Sequence, residues 1–192
     1  MEHLANIDRD LNIINNFTRR SMELNGRTKA IAYVITTRKY DTMVLGFNPK
    51  YMGMAEKELS DMVVRNQKAN FFMPTDADKT HLYVVTHEYG HMVHNDWIRR
   101  QNIVTDSIGG LYDSVDDEVK KLLKEQAEAE GISISDVKSK YISKYGQTNE
   151  HETFAELFAH VVLSENPNAL GTRFIDWLRR NGYDGDTLFY DK

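Results

Sequence analysis

The stretch His87-Glu88-Tyr89-Gly90-His91 constrains this chain more than any other. It has the form H-E-x-x-H, in which two histidines stand four residues apart, just over one helical turn. A helix here therefore projects both imidazoles from one face, where they can grip a single ion. Glu88 lies one step round, close enough to reach a water on that ion without ligating it. Zinc lowers the pKa of such a water toward neutrality, and a neighbouring carboxylate can take its proton as it attacks a carbonyl.

Residue frequencies alone produce this pattern at roughly the one-per-cent level in a chain of this length. The bland reading is a solvated amphipathic helix carrying two incidental histidines. The surroundings weigh against it. Thr80 to Thr86 is apolar enough to be buried, and Met92, Val93 and Trp97 continue an apolar face. Asp78 or Thr80 is placed to cap the helix, while Arg99 and Arg100 suit its negative end, near Gln101. Gly90 in the helix interior costs about 1 kcal/mol relative to alanine. Close packing against a neighbouring element explains it, and a metal-holding helix needs that too.

A catalytic zinc normally has three protein ligands. The longer pattern with a third histidine does not apply, because position 94 is His rather than Gly and position 97 is Trp. His94 itself reads as a polar helix residue rather than a ligand. The chain has no cysteine, so a carboxylate from a second helix remains. That helix is legible from Asn149 to Val162, where Phe154, Leu157, Phe158, Val161 and Val162 form a core-facing stripe at helical spacing. Glu152, Glu156 and His160 stack one turn apart along another flank. Glu150, Glu152 and Glu156 compete for the ligand role. A capping box with Asn149 would account for Glu152 without any metal, and a surface salt bridge would account for Glu156.

Tyr145-Gly146-Gln147-Thr148-Asn149-Glu150-x-Glu152-x-Phe154-Ala155-Glu156-x-Phe158 resembles the active-site segment of the anthrax lethal factor family of gluzincin zinc metallopeptidases. The His-Glu-x-Gly-His form of residues 87–91 matches that family as well. In it, a glutamate seven residues after a tyrosine is the third zinc ligand, which by resemblance selects Glu152 from Tyr145. The resemblance further implies that Tyr145 faces the metal and stabilises an oxyanion, and that Glu156 orients a zinc-bound histidine. Glu150 stands in Asn-Glu-x-x-Thr, similar to the N-E-x-x-S-D pattern of thermolysin-like enzymes except that Phe154 replaces the Asp. The likeness covers about residues 80–165 in two short blocks. A similar domain occurs in phage head-associated proteins, whose segment before the H-E-x-x-H is similar to Phe47-Asn48-Pro49-Lys50 through Thr80.

At 192 residues the chain reads as one domain, 1–192, long enough to bury a real core. The expected class is α+β: a mostly helical zincin-like core with a small sheet or hairpin, a metal helix and a glutamate helix. Ile7, Leu11, Ile14, Phe17 and Leu24 mark an N-terminal helix over about 6–25. Ala30 to Thr36 and Thr42 to Phe47 flank a hairpin at Arg38-Lys39-Tyr40-Asp41. Met54 to Gln67 is helical with Leu59, Met62 and Val63 inward, and Asn70 to Asp78 is a loop. A helical insert spans about 103–145. Within it Thr105 to Gly110 is a loop, Ser114 caps a helix ending at Gly131, and Ser135 opens another to Lys144, with Gly146 closing it just after Tyr145. The charge run from Asp116 to Glu130 is a solvated face. The last helix, Thr172 to Arg180, buries Phe174, Trp177 and Leu178 and stops at Asn181-Gly182.

A net charge of −5 and a pI near 5.8 leave no basic footprint for nucleic acid. No run approaches a membrane span, and residues 1–6 lack the features of a signal peptide. These properties lead to the expectation of a chain that is cytoplasmic in the producing cell, and the resemblance implies a phage particle or delivered toxin as the other setting. The resulting expectation is a zinc-dependent endopeptidase acting on a peptide or protein. Zn²⁺ would be held by His87, His91 and Glu152, with Glu88 as general base and Tyr145 as oxyanion donor. A structural or interaction module of a phage or toxin that retains the metal site is the alternative. A zinc hydrolase of a non-peptide amide would share the ligands.

Overall fold

The structure, a computed structural model, describes residues 32–36, 43–48, 51, 54–100 and 108–183. The expected N-terminal helix over 6–25 and the turn at Arg38 to Asp41 lie outside the described residues. Two strands, β1 (Ala32–Thr36) and β2 (Met43–Phe47), pair antiparallel with Ala32 opposite Phe47 and Thr36 opposite Met43. The described helices are α1 (Glu56–Lys68), α2 (Tyr83–Arg100), α3 (Ile108–Glu130), α4 (Ile134–Tyr141), α5 (Glu150–Leu163) and α6 (Ala169–Arg180). The described residues are thus mostly helical with one short strand pair.

Helix α5 is the centre of the fold. Every residue from Thr153 to Leu163 is buried, so α2, α3 and α6 cover it on several sides. A helix apolar nearly all round belongs in a core, whereas a one-sided stripe would leave a face in water. The expected stripe of Phe154, Leu157, Phe158, Val161 and Val162 is buried, and so are the residues between. Phe154 meets Phe174 and Trp177 of α6 edge-on, at ring-centroid distances of 4.9 and 5.5 Å. The two strands lie against α2, with Leu45 and Ala32 buried there.

Several boundaries differ from the sequence reading. Helix α3 begins at Ile108, so Ser114 lies inside it and 108–110 is not a loop. The apolar spacing Ile108, Leu111, Val115, Val119, Leu122 carries the helical period upstream of Ser114. Helix α4 is capped by Ser133, not Ser135, and ends at Tyr141 rather than Lys144. Ser133 has Asp136 three residues on: the Asp136 N–H donates to Ser133 Oγ (3.1 Å) and the Ser133 N–H to Asp136 Oδ2 (3.2 Å). Ser135 has Lys138 at that offset, which cannot close a capping box. Neither Asp78 nor Thr80 caps α2. A 3₁₀ turn, Ala77–Leu82, runs straight into it, and Thr80 instead pairs with Ser60 Oγ at 2.9 Å. Helix α6 starts three residues earlier than expected, at Ala169, because Asn168 Oδ1 accepts from the Gly171 N–H (2.8 Å). It stops where expected, at Asn181, with Gly182 at φ +79°.

Gly90 is where α2 touches α5. A Cβ built there would lie 2.9 Å from Ala155 Cα and 3.0 Å from Phe158 Cβ. The obstacle is backbone, not the tip of a flexible side chain, so it cannot simply move aside. Helix propensity favours Gly90→Ala by about 1 kcal/mol, but overpacking at a rigid crossing costs about 1–3 kcal/mol. Gly90→Ala is expected to lower stability in a urea melt, and Gly90→Val to lower it further. A stabilised Gly90→Ala protein would show that the crossing is not tight.

Candidate metal centre

The close crossing brings the histidine pair on α2 against the first turn of α5. The His87 and His91 rings stand edge to face, with centroids 5.0 Å apart and planes at 85°. Glu152 Oε2 lies 3.1 Å from His87 Nε2 and 3.5 Å from His91 Nε2. One ligand atom from each of these three residues falls within 4.8 Å of the others, so the group could hold a metal ion. Asn149 does cap α5, its Oδ1 accepting from the Glu152 N–H at 2.9 Å. The Glu152 side chain, however, turns toward the histidines rather than back to the cap. Of the three competing acids, Glu150 pairs with Lys138 at 3.4 Å and stands apart.

Glu156 is no surface acid. It is fully buried, one turn below Glu152, and its Oε1 lies 3.1 Å from His87 Nδ1. The Tyr83 hydroxyl donates to the same oxygen. Its other oxygen accepts from the Met73 N–H at 2.8 Å and from Ser143 Oγ at 2.5 Å. Four groups from three elements thus meet on one carboxylate. Gly146 allows the approach, since a Cβ there would meet Ile142 Cγ2 at 2.7 Å and Glu156 Cγ at 3.2 Å. This close approach, not helix termination, is the use of Gly146, which opens a short 3₁₀ turn, Gly146–Thr148.

The charges here are strongly coupled. Burial opposes protonation of His87, but the hydrogen bond with Glu152 and the Glu156 carboxylate beside it outweigh that and raise His87 to about 10. Burial would likewise raise Glu152, yet bonds to His87 and His91 hold it well below the usual carboxylate range. Glu88, only 9% exposed, is raised because burial disfavours its charge more than the two histidines favour it. A raised carboxylate is a better proton acceptor, which suits a general base.

Tyr145 stands beside the pair, its ring centroid 5.7 Å from that of His87. The ring stacks on Phe71 at 5.4 Å, and the Tyr145 N–H donates to the Phe71 carbonyl at 3.1 Å. Burial, then the charges of Glu152 and Glu88, push its phenol upward, so it stays a neutral hydrogen-bond donor. A cleft of about 210 Å³ opens between Tyr145 and α2. Ala32, Phe71, Phe72 and Val84 supply apolar wall, and Glu88 and Tyr145 supply polar groups. Phe71 is 41% exposed, unusual for a large apolar side chain. A cavity of similar size beside Trp177 lies among Glu118, Lys121, Glu125 and Arg180, away from the histidines, and brings no such chemistry together.

Sequence reasoning gave His94 no part beyond that of a polar helix residue and assigned His151 no role. His94, expected to be a polar helix residue, is fully buried. Its ring stacks on Phe154 at 4.7 Å and lies 4.5 Å from the ring of His151. His91, His94 and His151 also offer ligand atoms within 4.8 Å of one another. The available signal was positional: His94 is three residues past His91, and His151 precedes Glu152. His160, on the flank shared with Glu152 and Glu156, has a different task. Its Nδ1 lies 2.6 Å from the Pro74 carbonyl, and its Nε2 accepts from the Asn168 N–H at 3.0 Å.

No protein family, no curated protein and no solved structure matches the chain. The donor set therefore speaks for itself. Two imidazoles and one carboxylate converging beside a cleft suit a divalent ion of borderline softness, zinc among them. Among the described residues no helix is long and apolar enough to cross a membrane.

Removing the Glu156 carboxylate would leave buried donors without an acceptor. Glu156→Ala is expected to cost about 3–5 kcal/mol, and Tyr83→Phe about 1–3 kcal/mol. Equilibrium denaturation checks both. A Glu156→Ala protein as stable as the parent would refute a structural role for this carboxylate.

Proposed function

We propose that the chain is a zinc-dependent endopeptidase of the gluzincin type, with a zincin-like core formed by α2, α5 and the strand pair. The observation that carries this reading is the position of Glu152, whose one oxygen lies within 3.5 Å of both His87 Nε2 and His91 Nε2. The resemblance of both motif blocks to the anthrax lethal factor family supports it. His87, His91 and Glu152 would hold the ion, and Glu156 would keep the His87 ring in place. An ion bound there supplies a Lewis acid that polarises the substrate carbonyl and makes water acidic.

The remaining roles fall to the chain's own groups. Glu88 takes a proton from the attacking water as its oxygen bonds to the carbonyl carbon. As the C–N bond breaks, Glu88 returns that proton to the amine nitrogen, so atoms and charge balance. Tyr145 donates a hydrogen bond from its hydroxyl to the oxyanion, a contribution of roughly 2–4 kcal/mol where such donors have been removed elsewhere. The apolar cleft wall would seat a substrate side chain, and β1, which borders the cleft through Ala32, could pair with an extended peptide. The alternative is a structural or interaction module, for instance of a phage particle or toxin, that keeps the ion for stability.

Glu88→Gln is expected to retain one zinc per chain and to lose cleavage of a broad peptide library. Tyr145→Phe should lower kcat by about 10²–10³-fold. Peptide cleavage by Glu88→Gln at the parent rate would refute the base assignment, and bound zinc with no turnover by the parent would favour the module. Chelation should lower the melting temperature by roughly 5–10 °C if zinc is present at about a hundred times its Kd, because the ion ties residues 65 positions apart. An unchanged melt with metal loss verified would count against the crosslink.

A further inference from the structure

We propose that His91, His94 and His151 form a second metal site, built from three imidazoles, which shares His91 with the His87, His91 and Glu152 group. The site stands on its own residues and does not require the chain to be a peptidase.

His94 is the observation that points to a ligand. It is 0% exposed, and among the described residues neither ring nitrogen has a hydrogen-bond partner. Leaving both nitrogens of a buried imidazole unbonded is costly, and folded proteins rarely do it. His160 shows what this same fold does with an ordinary buried histidine, giving one nitrogen a carbonyl and the other a backbone N–H. Phe154 fixes the plane of the His94 ring, stacking on it at 17°. His91 stands one turn back on α2, and His151 reaches over from the first turn of α5.

The geometry allows closure. The three ligand atoms lie within 4.8 Å of each other, whereas nitrogens around a tetrahedral zinc sit roughly 3.4 Å apart. The His91 and His151 side chains are only partly buried, so they have room to draw in toward the rigid His94. Three neutral imidazoles without a carboxylate favour zinc, cobalt, nickel or copper over magnesium or calcium. Because His91 belongs to both groups, the two sites are alternative homes for one ion on the same pair of helices. One draws on Glu152 and on His87, which lines the cleft, and the other draws on the buried His94 and on His151.

The test uses the full chain, stripped of metal and titrated with zinc against a chromophoric chelator, with cobalt absorbance as a second readout of nitrogen-rich coordination. Glu152→Ala is expected still to bind one zinc per chain. Adding His94→Phe, which preserves the stacked ring, or His151→Gln should each weaken that binding at least about 100-fold. His94→Phe alone should keep one zinc through Glu152, which separates failure of this site from failure of the first. The proposal is overturned if Glu152→Ala binds no zinc, or if either double variant binds as Glu152→Ala does. Circular dichroism verifies folding, and if His94→Phe does not fold, the partly exposed His151→Gln decides the matter.

Discussion

The contact on which this structure depends is the crossing of two helices at Gly90. A missing side chain lets α2 come within van der Waals reach of the α5 backbone at Ala155. An ordinary helix pair runs with axes 8–10 Å apart and side chains interleaved, and the smallest residues permit the nearer limit. With the helices this close, Glu152 and His87 meet across the seam. The same approach buries α5 on nearly every side, so the polar groups it carries must find partners inside the protein.

Glu156 shows how that requirement is met. A carboxylate with no solvent exposure accepts from Tyr83, from the Met73 backbone and from Ser143, and it also lies against His87. Through it the loop after α1, the start of α2 and the turn before α5 are referred to a single point. The Tyr145 backbone, bonded to Phe71, extends the same arrangement to the mouth of the cleft. The orientation of His87 is therefore set by packing and hydrogen bonds at some distance from any ion. Buried polar groups of this kind add little net stability over apolar ones but fix a geometry when fully satisfied. His94 goes further: among the described residues neither of its buried ring nitrogens has a hydrogen-bond partner.

What could be read from sequence follows from locality. The H-E-x-x-H pair shares a face because four residues make about one turn, and that holds in any helix. Asn149 before α5 and Gly182 after α6 are local signals, and both fall where they were expected. The capping errors are local competitions wrongly resolved. Ser135, the expected start of α4, has no acid three residues on, whereas Ser133 does. Ser114 was read as a cap although the apolar period runs through it. Glu152 was a case of two valid readings, since its backbone is capped by Asn149 while its carboxylate serves the histidines.

By itself the sequence determined that one helix presents two imidazoles and an acid, that a second helix is rich in glutamate, and that a tyrosine precedes it by a short turn. Tertiary structure decided which acid meets the imidazoles, that Glu156 is buried rather than solvated, and that His94 is enclosed beside His151. The division has a physical cause. Periodicity and capping depend on bonds within a few residues, whereas burial and partner choice depend on which surfaces pack together. Here that packing turns on the 2.9 Å that separates the position of an absent Cβ at Gly90 from the backbone of Ala155.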